Sequence, residues 1–163
     1  MMAQAEHDPL ARSTLISPSA RVLSGVKARV ERKFAGQCRF LKAKDWRDAV
    51  AKSNALAPEH LSLMVKDPRK ILPLIQNAGA IFLGSWSPVA AGDYWAGPSH
   101  VLPTAHSARF SSGLSVQTFM KRSSLIGLSK DLIRKKAAAI ATLAEAEGLR
   151  YHAASLKARL GDK

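Results

Sequence analysis

Five histidines and twelve carboxylates are spread over 163 residues, and a few stand where their spacing suits chemistry. Gln4 and His7 lie three apart at the start of a helical pattern, so both side chains project from one face and can reach one metal ion. Two polar groups on a solvated helix would show the same spacing. Glu59 and His60 follow Pro58 directly ahead of an apolar strand pattern, a position suited to a rim. As neighbours they point in different directions, which suits two separate proton transfers better than one linked pair. An exposed Glu beside a half-buried His would read identically. Residues 92–104 gather Asp93, His100 and several backbone-bending residues in one loop, which either binds a ligand or is a tight turn in which Asp93 caps backbone N–H groups. The Ser111-Ser112-Gly113 run that follows lacks the surroundings of a phosphate loop. Glu147 and His152 flank Gly148, and nothing local brings them together.

These residues must be positioned by the elements between them. A helical pattern covers residues 9–34, broken near Ser17-Pro18, with Leu10, Leu15, Val22, Leu23, Val26 and Val30 as its buried stripe. A short strand is expected around Arg39-Phe40-Leu41, and Asp45 is a good N-cap for a helix through Ala49, Val50 and Leu56. Residues 61–65 then read as a strand, 68–76 as a short helix with Pro68 in its first turn, and 80–83 as a second strand. Strand, helix, strand with short links predicts a parallel pair in an α/β layer. Residues 84–113 have no sustained period and read as one long loop carrying chemistry. Beyond Lys121-Arg122 the pattern is helical, with Ser129 as cap and Leu132, Ile133, Ala137, Ile140, Ala141 and Ala144 on one face. Gly148 separates this helix from a last one bearing Tyr151, His152, Leu156 and Leu160. The expected fold is α/β, an incomplete Rossmann-like parallel sheet layer over residues 1–116 followed by a helical C-terminal tail over 117–163.

Composition sets outer bounds. With 47% apolar and 23% charged residues and a mean hydropathy of −0.07, the chain can close a core and is not a disordered tail. Residues 71–92 carry no charge, but two prolines and three glycines interrupt them, so no spanning helix is expected. The acidic start lacks a basic and then apolar run, so no secretory signal is read and a cytoplasmic protein is expected. Cys38 is the single cysteine, which excludes an internal disulfide and any multi-thiolate zinc site. The net charge of +13 and a pI near 10.4 would suit a nucleic-acid binder. The bases are spread around helical segments at both chain ends without alternating aromatics, so solvated helix surface is the simpler reading.

Read in order, several motifs go further. Gln4-Ala5-Glu6-His7-Asp8, Ala57-Pro58-Glu59-His60-Leu61, Asn77-Ala78-Gly79-Ala80-Ile81-Phe82-Leu83-Gly84, Gly92-Asp93-Tyr94, Ala96-Gly97-Pro98 with Ser99-His100-Val101-Leu102-Pro103-Thr104, residues 108–116, Lys121-Arg122, and Glu147-Gly148-Leu149 with His152 are present. Together they resemble the C-terminal part of histidinol dehydrogenase, almost from end to end. That family oxidises L-histidinol to L-histidine through the aldehyde, using NAD and zinc.

The resemblance implies roles residue by residue. Gln4, His7 and Asp93 match zinc ligands, and His152 matches a fourth that in the family arrives from the other subunit of a dimer. Two imidazoles, a carboxylate and an amide oxygen make a sensible site that leaves room for substrate nitrogens. Glu59 and His60 match the proton acceptors, His60 for the alcohol proton and Glu59 for the water that attacks the aldehyde. Glu147 and His100 match substrate contacts, and Gln4, His7, His60, Asp93 and His152 border the same substrate. Most of the NAD-binding half lies outside the matched region, so no cofactor-binding residue is assigned here. The stretch from Arg32 to Asp45 is shorter than is usual in the family. Expected partners are L-histidinol and either a second copy in a homodimer with shared active sites or a separately encoded N-terminal half. A non-catalytic remnant or dimerisation module of the same family is the alternative, and a basic nucleic-acid-associated protein a minor one.

Overall fold

The computed structural model describes residues 1–161. After a six-residue helix α1 (Met2–His7), two parallel strand pairs organise the first part of the chain. β1 (Ser13–Ser17) pairs with β2 (Cys38–Lys42), Ser13 lying opposite Cys38 and Ser17 opposite Lys42. β3 (His60–Leu63) pairs with β4 (Ala80–Leu83), His60 lying opposite Ala80 and Leu63 opposite Leu83. Parallel strands cannot be joined by a tight turn, so each pair needs a crossover. In the first pair it contains α2 (Ala20–Lys27), and in the second α4 (Pro68–Ile71) continued by the 3-10 turn Leu72–Leu74. The expected α/β layer is therefore present as two small parallel sheets rather than one.

The single helical pattern expected over residues 9–34 is replaced by β1 and α2. Asp8 leaves α1 in an extended conformation, and its carboxylate accepts the Leu10 N–H at 2.6 Å, which turns the chain before a helix can resume. The β-branched Thr14 and Ile16 then lie in β1, where pairing with β2 satisfies their backbone. Leu10, expected in the core, is 81% exposed, and Val22 is exposed as well. Leu15 is half-buried within β1, and Leu23, Val26 and Val30 are half-buried within and just after α2. The loop expected over residues 84–113 is also interrupted. α5 (Val89–Tyr94) and the 3-10 turn Ser107–Arg109 lie within it, both too short to show a hydrophobic period.

α3 (Trp46–Leu56) starts where expected. The Asp45 carboxylate accepts the Asp48 N–H at 2.8 Å, and the Asp48 carboxylate in turn accepts the Lys44 N–H at 2.8 Å. Ala49 and Ser53 form its buried face. Hydrogen bonding from the Lys52 side chain, and next from the Lys44 backbone, holds the Asp48 carboxyl below its usual range.

The chain divides into two compact units, Met1–Met120 and the remainder from Lys121. In the second, α6 (Lys130–Ala146) and α7 (Arg150–Leu160) pack on each other. The Ser129 hydroxyl caps α6 by accepting the Leu132 N–H at 3.2 Å. Ala137, Ala141 and Ala153 are the buried residues of this hairpin, while Leu132 and Ile140 of the expected face are exposed. Among the described residues no helix is long and apolar enough to cross a membrane.

Replacing Asp45 with Ala removes a helix cap and is expected to lower stability by about 1 kcal/mol, measured by denaturant unfolding. The lowered Asp48 carboxyl contributes stability above the pKa of the unfolded chain's carboxyl and loses it as pH falls through its folded value. Acid titration followed by circular dichroism should therefore show a weaker pH dependence in Asp48→Asn.

Candidate functional site

The Glu59–His60 step is placed by the C-terminal end of α3. Ala57 closes the helix in a left-handed conformation with φ 44° and is 1% exposed. A helix leaves its last carbonyls without intrahelical donors, and here each one finds a partner. The Asn77 amide donates to Asn54 O at 3.0 Å, the Arg109 guanidinium to Ala55 O, and the His106 ring to Leu56 O. A carbonyl can only accept, so this last bond fixes the His106 tautomer with its proton on Nδ1. His106 reaches back from a left-handed backbone with φ 65°, following Ala105 at φ 49°. Two successive non-glycine residues in that region mark strain that the cap offsets.

The next carbonyls start the second sheet. Gly79 N–H donates to Pro58 O at 3.0 Å and Ala80 N–H to Glu59 O at 2.8 Å. A Cβ at position 79 would stand 2.6 Å from Glu59 O and 2.9 Å from Pro103 Cδ, so the approach needs glycine. Asn54 reinforces it, accepting the Gln76 N–H at 2.9 Å and donating to Leu74 O at 2.9 Å.

His60 opens β3 and is half-buried, with its Nε2 buried and, among the described residues, without a hydrogen-bond partner. Asp93 Oδ1 lies 4.0 Å from that nitrogen, facing it but too far for a hydrogen bond. α5 carries Asp93 close to β4 because Gly92 has no side chain, a Cβ there falling 2.7 Å from the Phe82 ring. Phe82 stacks obliquely on His60 with centroids 6.0 Å apart, forming an apolar wall beside the imidazole. The space between Nε2 and the Asp93 carboxylate is thus bounded by one base, one acid and one aromatic ring.

The other expected site residues are dispersed. On α1, Gln4 is half-buried and His7 exposed, with Ala5 between them buried. His100 is exposed in the loop after α5, and Glu147 and His152 are exposed at the end of α6 and the start of α7. No three His, Cys, Asp or Glu side chains converge to hold a metal among the described residues. The donor chemistry of Gln4, His7 and Asp93 suits zinc, and the unpartnered His60 Nε2 beside Asp93 leaves a polar group free for a ligand. The loop also forms a hollow of about 340 Å³ beneath Leu102, Pro103, Thr104, Ser107 and Ser111. Sequence reading did not anticipate the clamp by Asn77, His106 and Arg109, because its partners lie 23 to 54 residues apart.

Two parallel strand pairs, each joined by a helical crossover, place the chain among the α/β proteins. The histidinol dehydrogenase family model matches residues 1–160. The chain is 47% identical to histidinol dehydrogenase of Oleidesulfovibrio alaskensis over 98% of its own length and 40% of that protein. It is 44% identical to that of Prochlorococcus marinus over 98% and 39%. A crystal structure of histidinol dehydrogenase from Elizabethkingia anophelis superposes with a TM-score of 0.77 at 31% identity, covering 98% of this chain and 40% of that one. The chain belongs to the histidinol dehydrogenase family and spans about 40% of the length of the relatives it matches.

Gly79→Ala should force β4 away from Glu59. Expected are a stability loss of about 1–3 kcal/mol and faster amide exchange at Ala80 than at β1 or β2 positions. Equal exchange at both sheets would overturn this account of the glycine.

Proposed function

We propose that this chain supplies the metal-holding and proton-transfer groups for NAD-linked oxidation of L-histidinol to L-histidine through the aldehyde, a step of histidine biosynthesis. The observation that carries the reading is the buried, unpartnered Nε2 of His60 facing Asp93 across 4.0 Å, at the family motif in a chain that matches the family along nearly its whole length. His60 accepts the alcohol proton when hydride leaves the substrate carbon. Glu59, on the adjacent residue but aimed elsewhere, takes a proton from the water that adds to the aldehyde before the second hydride leaves. Gln4, His7 and Asp93 would hold zinc together with His152 of a second copy. Bound there, zinc would supply a Lewis acid that helps to position the substrate's polar groups. His100 and the second copy's Glu147 complete the substrate contacts.

Hydride transfer needs NAD held near His60, and most of the family's NAD-binding half lies outside the matched region. The reaction therefore calls for the family's N-terminal half as well, alongside the shared sites of a homodimer. The surface supports this: Trp86, Trp95, Tyr94 and Phe110 are each at least 84% exposed, an apolar display that suits a covered face.

The test is calorimetry of zinc and then L-histidinol on the purified chain, beside His7→Ala and His152→Ala. Expected are about one zinc per chain, histidinol binding only when zinc is present, and loss of both in each variant. The chain alone should show no NAD reduction, and adding the N-terminal portion of a relative should bring it on. Zinc binding unaffected by either substitution would refute the ligand set. The absence of any zinc or histidinol binding would favour a non-catalytic dimerisation module.

A further inference from the structure

The six-residue α1 is far too short to be stable by itself, and its N-cap residue Met1 makes no side-chain capping bond. Ala5 is its one buried residue. Something else must hold the segment that carries Gln4 and His7, and the structure offers one side chain for the task.

Gln37 Nε2 lies 2.9 Å from Ala5 O, 2.9 Å from Asp8 O and 3.1 Å from Ala11 O. Ala5 O is among the last carbonyls of α1, which lack intrahelical donors, and the other two belong to the turn that follows. Three carbonyls converging on one atom identify it as the amide nitrogen, since the amide oxygen there would meet only repulsion. Two hydrogens serve three acceptors, so at least one is shared. The backbone of Gln37 is equally committed. Its N–H donates to Phe34 O at 3.0 Å, and its carbonyl accepts the Ser13 N–H at 3.0 Å where β1 begins. Arg12 adds a longer bond to Gly36 O at 3.4 Å. Gln37 thus ties one end of the first sheet to the end of α1 and to the whole turn between them.

We infer that Gln37 is a positioning residue that holds α1, and with it Gln4 and His7, against the first sheet. This rests on the reading of Gln4 and His7 as metal ligands for its functional meaning, whereas the tie itself does not depend on that reading.

The experiment compares wild type with Gln37→Glu, Gln37→Leu and Gln37→Lys as full-length, metal-free chains. Glu keeps the shape but cannot donate when ionised, Leu removes all polarity, and Lys restores N–H donors at similar reach. Amide exchange across residues 2–13 should rise about tenfold or more in the Glu and Leu variants, return towards wild type in the Lys variant, and leave β3 and β4 unchanged. Titration with zinc alone should then show affinity reduced by roughly 10–100-fold in Glu and Leu, as expected when a ligand loses its support, with recovery in Lys. Unchanged exchange in the Glu variant would overturn the inference. So would equal losses in all three variants, since they would indicate general destabilisation. If the wild-type chain binds no zinc, the metal reading fails alone, and the exchange pattern still decides the role of Gln37.

Discussion

The contact on which the site depends is the hydrogen bond from Ala80 N–H to the Glu59 carbonyl at 2.8 Å, made possible by the missing side chain at Gly79. That bond starts the β3–β4 ladder and so sets the register in which His60 lies opposite Ala80. Phe82, two residues further along β4, is then on the same face as His60 and close enough to wall it. The same ring decides how near α5 can come, and Gly92 lets it come near enough for Asp93 to face the imidazole. A one-residue slip would turn His60 to the other face and separate all three.

The clamp around α3 protects that register. Asn77, Arg109 and His106 satisfy three consecutive carbonyls at the helix end, and two of these side chains come from the long segment after α5. Arg109 and His106 also suit a helix C-terminus electrostatically, because cations and N–H donors there oppose the negative end of the helix dipole. The segment that reads as one long loop carrying chemistry therefore has a second task, which is to hold the end of α3 from which β3 starts. Such outside support matters because the interior is slight. The buried apolar residues of the first unit are Ala5, Cys38, Ala43, Ala49, Ala57 and Leu63, and no large side chain is fully buried among the described residues. With so little apolar volume enclosed, directional bonds carry a larger share of the specification of this fold.

Local signals in the sequence were legible wherever the physics was local. Asp45 and Ser129 cap the helices they were expected to cap, since a capping bond spans three residues. The β3–α4–β4 unit read correctly because its apolar runs are short and bounded by turns. β1 escapes a sequence reading because Leu15 fits a helical stripe as easily as a strand, and only β2, some twenty-five residues on, decides the matter. The motif residues of the site were visible through their family resemblance, but not their mutual arrangement. Periodicity does not reveal that Gln37 meets Ala5, Asp8 and Ala11.

The adjacency of Glu59 and His60 has a physical logic of its own. Two groups that share a proton must sit within hydrogen-bond reach, and their titrations then merge. Consecutive residues entering a strand diverge instead, so the two side chains point away from each other. His60 faces Asp93 and Phe82, in surroundings that exclude water from one side of its ring. Its neighbour Glu59, also half-buried, is held by the same backbone bonds. Under the proposed function a two-stage oxidation needs a base for an alcohol and later a base for water, and fixing one backbone step with bonds to Pro58 O and Glu59 O would orient both candidate groups at once.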